Sequence, residues 1–113
     1  MAKSSPTQKA LAELRAEGWR VGIVEHWNPF AKIRVDLFGC IDLVCLKAGT
    51  PILAVQVTSR TNVNARLVKS KDVAALWVGT GNLFWVIGYG ITKTKGNKRV
   101  VRMDPSGEWM ESE

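Results

Sequence analysis

Asp42 is the residue whose surroundings ask for chemistry. It stands in Cys40-Ile41-Asp42-Leu43-Val44-Cys45-Leu46, a run otherwise apolar. A carboxylate buried there without a partner is costly, so the position should face a cleft, a cation or a metal. Fourteen residues on, in Pro51-Ile52-Leu53-Ala54-Val55-Gln56-Val57-Thr58, the polar residues Gln56 and Thr58 lie two apart. On a strand that spacing puts both on one face. Lys47-Ala48-Gly49-Thr50 between the two runs reads as a hairpin turn, and hairpin pairing brings the Gln56/Thr58 face beside Asp42. A carboxylate, an amide and a hydroxyl would then converge at a sheet edge. Oxygen ligands of this kind suit a hard divalent cation that polarises water and phosphate, as metal-assisted phosphodiester cleavage requires. The plainer alternative is a polar strand end leading into a helix.

Charge points to the same class of partner. The chain carries 16 Lys+Arg against 10 Asp+Glu, a net +6. Four of those ten acids (Asp104, Glu108, Glu111, Glu113) fall in residues 103–113, which hold no Lys or Arg, so residues 1–102 carry sixteen basic against six acidic side chains, +10. From Arg60 to Arg102 there are nine basic residues and only Asp72 to oppose them. A polyanion is the first partner to expect, with a merely soluble basic surface as the alternative.

Other residue types narrow the chemistry. Asp36 and Glu25 are candidate additional acids: Asp36 sits near Lys32 and Arg34, where a loop salt bridge competes with work at the site, and Glu25 ends a predicted strand at a loop that should open near it. Glu13 falls off the apolar face of its helix and reads as solvated. His26 is the only histidine, which excludes a two-histidine metal site. Gly79-Thr80-Gly81 lacks the Lys-Ser/Thr of a phosphate-binding loop. Cys40 and Cys45 read as buried free thiols rather than a disulfide. Trp27 and Phe30 flank Asn28-Pro29, where they can stack on an unpaired base or pack over the sheet end.

The elements that must position these residues follow from periodicity and punctuation. Residues 5–17 predict a helix capped by Ser5 and stopped by Gly18. Trp19 to Glu25 alternates as a strand, and His26 to Lys32 reads as a loop. The Asp42 run and the Gln56 run are two further strands, the second nearly all apolar and therefore central. Asn62 to Trp77 predicts a helix with Val63, Leu67 and Ala74 inward and Arg66, Lys69 and Lys71 among its polar positions. Leu83 to Ile91 and Lys98 to Met103 are strands joined by the basic turn Lys93 to Asn97, and the acidic tail 105–113 is expected to fray unless Trp109 pins it. The order is α-β-β-β-α-β-β over a single domain, 1–113: an α/β fold with a central mixed sheet flanked by helices. No apolar run approaches the ~20 residues of a membrane span and no signal-peptide core follows Met1, so no membrane partner and a cytoplasmic location are expected.

At these residues the sequence resembles the PD-(D/E)xK nuclease superfamily, and within it the Holliday-junction-resolvase-like proteins. Asp42-Leu43-Val44 matches the family's Asp strand, and the strand ending Gln56-Val57-Thr58 matches its Glu-x-Lys strand. Element order agrees over residues 5–91, with the sharp part at 36–66. Glu25-His26-Trp27-Asn28-Pro29, Asp36-Leu37-Phe38-Gly39, Ile41-Asp42 and Gln56-Val57-Thr58-Ser59 look like a small phage-type branch.

The resemblance implies a restriction-endonuclease-like fold and a Mg²⁺- or Mn²⁺-dependent endonuclease acting on DNA, branched DNA such as Holliday junctions in particular, and a homodimer. It implies Asp42 as metal ligand, Gln56 in the place of the second acid, the Val57 carbonyl as a further ligand, and Thr58 where the family has its catalytic Lys. The family's first-helix Glu has no counterpart, since Thr7 or Gln8 falls there. Gln56 brings no negative charge and Thr58 no positive one. Arg66 is the favoured substitute for the missing Lys. Lys32, Arg34, Arg60, Lys69 and Lys71 are expected to meet DNA. Beside this stand two other readings: a nuclease-fold module that binds DNA without cleaving it, and a structural or protein-interaction domain.

Overall fold

The computed structural model describes residues 5–90 and 98–112; the basic turn expected at Lys93 to Asn97 lies outside the described residues. Ser5 caps the first helix, α1 (Pro6–Ala16), its Oγ accepting from the Gln8 amide at 3.2 Å. Pro6 occupies the first turn, where a missing N–H leaves no bond unmade. Ala10, Leu11 and Leu14 form the buried stripe.

Strands β1 (Arg20–Ile23), β2 (His26–Asn28), β3 (Ile33–Val35), β4 (Leu43–Leu46) and β5 (Leu53–Ser59) follow, then a 3₁₀ turn (Arg60–Asn62) and α2 (Val63–Gly79). The chain returns through β6 (Leu83–Tyr89), β7 (Lys98–Met103) and β8 (Trp109–Ser112). Six strands form one sheet in the order β1-β4-β5-β6-β7-β8, while β2 and β3 pair separately as a hairpin. Only β5 and β6 run parallel, joined by the α2 crossover; the other neighbours are antiparallel. The fold is thus α/β, with a mixed sheet and one helix on each face.

Strand alternation divides the core in two. Under α1 lie Val21, Leu43, Cys45, Leu53, Val55, Ile87 and Tyr89 with Ala10, Leu11, Leu14 and Trp19. Under α2 lie Ala54, Phe84, Val86, Val101 and Met103 with Cys40, Ile41, Val63 and Ala74. The two cysteines therefore sit in different halves of the core, both free and buried, and burial raises each thiol to about 11. Gly88 makes the α2 side possible: a Cβ there would meet Val63 Cγ2 at 2.3 Å and the Arg60 Cα at 3.0 Å, so only glycine lets the 3₁₀ turn cross β6 at this distance.

Three expectations are corrected. The segment read as a loop, His26 to Lys32, supplies β2 and the turn of a hairpin, because Ile33-Arg34-Val35 pairs back on His26-Trp27-Asn28. The Asp42 strand begins at Leu43, since Leu37 to Ile41 closes a tight turn with bonds Ile41 N to Leu37 O at 2.9 Å and Leu37 N to Ile41 O at 3.0 Å. Of the two alternatives for the tail, the pinned one holds, and as a strand that was not foreseen: β8 pairs with β7 from Val100↔Ser112 to Met103↔Trp109, and Trp109 packs on Phe84 with ring centroids 6.0 Å apart. Hence the order α-β-β-β-α-β-β gains the hairpin and a final strand. Glu13 is exposed, as expected, and its carboxylate accepts from Tyr89 Oη at 2.9 Å and from Lys98 Nζ at 2.6 Å. Among the described residues no helix is long and apolar enough to cross a membrane.

Candidate functional site

Three strand registers bring the acids together. The β2–β3 hairpin pairs His26 with Val35, so Glu25 and Asp36 stand opposite each other one rung below it. Asp36 then enters the tight turn through Gly39 N to Asp36 O at 3.1 Å, and that turn delivers Asp42. Asp42 is knit to both neighbouring strands: Val24 N donates to its carbonyl at 2.9 Å, and its own N donates to the Val55 carbonyl at 3.0 Å. The outcome is a cluster in which one ligand atom from each of Glu25, Asp36 and Asp42 lies within 4.8 Å of the others. Asp42 is buried and the other two are half-buried.

The second strand supplies what the hairpin rule anticipated. Leu43 pairs with Val55, and one step further Asp42 and Gln56 face each other on the α2 side, with Thr58 two residues beyond. Gln56 is 1% exposed and Thr58 6%. The Gln56 amide oxygen is buried and accepts no hydrogen bond among the described residues, a state that costs roughly 1–3 kcal/mol unless a partner arrives. Val57 contributes through its backbone, its N–H donating to Asp42 Oδ2 at 2.7 Å.

Electrostatics mark Asp42 as the focus. Burial above all, and then the Asp36 and Glu25 carboxylates, push its carboxyl up to about 7, against the Val57 N–H, which pulls it down. Asp36 is near enough to share a hydrogen bond with it. Ionised carboxylates crowded in this way repel one another, and a divalent cation held among them would relieve that repulsion. The donor set, all hard oxygen, fits Mg²⁺ or Mn²⁺ better than a metal preferring thiolate or imidazole.

The expected cations distribute unevenly. Arg34 comes to the cluster, its Nη1 3.8 Å from Glu25 Oε1, so its partner is Glu25 rather than the adjacent Asp36. Lys69 is the α2 cation whose charge reaches Cys40, beside the site. Arg66, half-buried on the same helix, holds Ser70 Oγ through its backbone carbonyl at 2.6 Å, while the charges that act on Asp42 are Asp36 and Glu25. Arg60, Lys32, Lys69 and Lys71 are exposed, and none of them nor Arg66 forms an ion pair among the described residues. These cations are free to meet an anion.

A cavity of about 340 Å³ opens on the other side of the sheet between α1 and the β6–β7 strands, lined by Leu14, Trp85, Ile87 and Val100 among others. It shares no residue with the carboxylate cluster. What reading the sequence missed was the hairpin; its signal is the pair of short β-prone runs symmetric about Pro29-Phe30-Ala31-Lys32, which sets Glu25 against Asp36. Comparison with models of protein families, with curated proteins and with solved structures finds no match to this chain.

Proposed function

We propose that the protein is a Mg²⁺- or Mn²⁺-dependent endodeoxyribonuclease of the restriction-endonuclease-like, PD-(D/E)xK type, acting on branched DNA such as a Holliday junction and working as a homodimer. The observation that carries this reading is the convergence of Glu25, Asp36 and Asp42 within 4.8 Å on a face where the buried Gln56 oxygen lacks a partner. Asp42, Gln56 and the Val57 carbonyl would hold the ion, with Asp36 and Glu25 supplying the negative charge that Gln56 does not. When bound, the ion polarises the phosphodiester and lowers the pKa of the attacking water.

The chain's own residues do the rest. The Val57 N–H fixes the Asp42 carboxylate, and Thr58 orients water or phosphate by its hydroxyl. Lys69, with Arg66 three residues earlier on the same helix face, offsets charge developing on the phosphate. Arg60 and Lys71, with Lys32 and Arg34 on the hairpin, position the DNA backbone.

The test is cleavage of a labelled four-way junction in Mg²⁺ and Mn²⁺. Asp42→Ala should abolish cleavage and leave junction binding in EDTA largely intact; equal cleavage by the variant would sink the mechanism. Thr58, buried and uncharged where the resemblance places a Lys, favours a second reading: a DNA-binding module with no turnover. That reading predicts salt-sensitive binding with no product under any divalent ion, and cleavage gained by a Gln56→Glu, Thr58→Lys double variant.

A further inference from the structure

The β2–β3 hairpin is left over once the carboxylates are explained. Among the described residues, Ile23, Trp27, Phe30, Ile33 and Phe38 are all exposed, with Phe30 at 96% and Trp27 at 55%. An apolar concentration of this kind on a small soluble domain marks a place of contact. The tip is also fixed. Asn28 Oδ1 accepts from the amides of Phe30 at 3.0 Å and Ala31 at 3.1 Å, and Lys32 N donates to the Asn28 carbonyl at 2.7 Å. Lys32 takes φ 56 to close the turn. Phe30 is thus held outward by a hydrogen-bonded turn.

The distribution of side chains selects the occupant. Trp27 is opposite Arg34 on one face of the ribbon, Ile33 is opposite Asn28 on the other, and Phe30 is at the tip. Apolar groups spread over two faces and an apex make a wedge, not the flat patch that a second copy of the chain would cover. Lys32 and Arg34 alternate with the apolar groups, and the chain as a whole carries a net +6. An aromatic wedge flanked by cations matches stacked bases joined by phosphates: proteins insert such side chains at base steps that open easily. The hairpin is rooted in the site, since Glu25 and Asp36 form the rung below it. From there to the tip is ~10 Å at strand rise, the length of about three stacked nucleotides.

We propose that this hairpin selects the substrate: Phe30 enters an unstacked base step of branched or distorted DNA, Trp27 stacks beside it, and Lys32 and Arg34 hold the adjoining phosphates. The inference rests on the nuclease reading for the role of the carboxylates, but not for the contact itself, so it is tested without divalent metal. A four-way junction carrying 2-aminopurine at the branch point and a matched duplex are titrated with protein in EDTA at one salt concentration. Wild type should prefer the junction and change the 2-aminopurine fluorescence. Phe30→Ala should lose about tenfold in junction affinity while duplex affinity stays within about twofold, and should abolish the fluorescence change. Phe30→Trp should restore both. Because Phe30 is exposed, circular dichroism should show all variants folded, and Trp27→Ala provides a second deletion with a smaller loss.

An unchanged junction-to-duplex ratio in Phe30→Ala, with cleavage by wild type intact in Mg²⁺, overturns the hairpin's role and spares the nuclease reading. Absence of any DNA binding by wild type overturns both. Loss of a dimer in light scattering with unaltered DNA binding assigns the hairpin to a second copy and overturns the proposal.

Discussion

The sheet face under α1 and the face under α2 are made by the same strands, yet they bury different things. Under α1 the buried set is apolar apart from Tyr89, whose phenol is held by Glu13 at 2.9 Å, with Lys98 behind it at 2.6 Å. Burial and Glu13 push the Tyr89 phenol well above its ordinary range, so it stays a neutral donor. Among the described residues, the buried polar or charged side chains Asp42, Gln56, Thr58 and Ser70 all lie on the α2 side. Ser70 is satisfied by the Arg66 carbonyl at 2.6 Å; Asp42 is crowded by two other acids and Gln56 keeps an unpartnered oxygen. One face is assembled for stability, and the other carries polar groups that serve stability poorly. Such a division within one small sheet is the physical signature of a site.

Substitutions on the two faces should therefore separate stability from ligand binding. The largest effect belongs to the α1 side: Leu14→Ala, emptying a buried position, should lower unfolding free energy by about 3 kcal/mol in urea titration. Divalent-cation affinity of the folded fraction should not change.

On the α2 side the sign reverses. Asp42 has its carboxyl raised to about 7 in the folded chain, above its unfolded value, so its contribution to stability is fully present below about pH 4 and is lost as pH rises through about 7. Metal-free protein should thus be less stable at pH 8 than at pH 5. Asp42→Asn should remove this pH dependence and raise stability at pH 8 by on the order of 2 kcal/mol. Added Mg²⁺ should stabilise wild type at pH 8 and leave the variant unaffected. A destabilised Asp42→Asn at pH 8 would break the contrast between the faces.

Smaller effects sharpen it. Gln56→Met removes the unpartnered amide at similar volume and should be neutral to about 1 kcal/mol stabilising, while weakening cation binding measurably in calorimetry. Tyr89→Phe, which deletes a satisfied bond on the other face, should lose about 1 kcal/mol in urea titration with no effect on cation binding.

Much of this division is readable in the chain because it depends on alternation. Gln56 and Thr58 two apart, and a turn between two apolar runs, were enough to bring their face beside Asp42. The exact partner was not legible, since a turn of only Lys47 to Thr50 would set Asp42 against Val55, whereas the observed register, Leu43 with Val55, sets it against Gln56. The Lys98 to Met103 strand and the Ser5 cap were legible for the same reason: each rests on local chemistry. The hairpin was not, because Asn28-Pro29 reads as a break, whereas Asn28 in fact closes a turn between strands of only three residues. That concealed the pairing of Glu25 with Asp36, a contact set by register rather than by either residue's neighbours. Glu13 is exposed as read, but its partners, Tyr89 and Lys98, were not legible because they lie on distant strands, and helical periodicity describes only burial along one helix. The tail's strand escaped notice for want of alternation in a short acidic segment; its ladder to β7 and the Trp109 contact with Phe84 are tertiary.

The central claim is that the carboxylates of Glu25, Asp36 and Asp42, with the Gln56 oxygen, form a divalent-cation site on the α2 face. Titration calorimetry with Mn²⁺ at pH 8, where Asp42 is ionised, tests it most directly. The account predicts one ion-binding site per chain in the wild type, lost in Asp42→Asn and weakened about tenfold or more in Glu25→Gln. Undiminished Mn²⁺ binding by folded Asp42→Asn would contradict it.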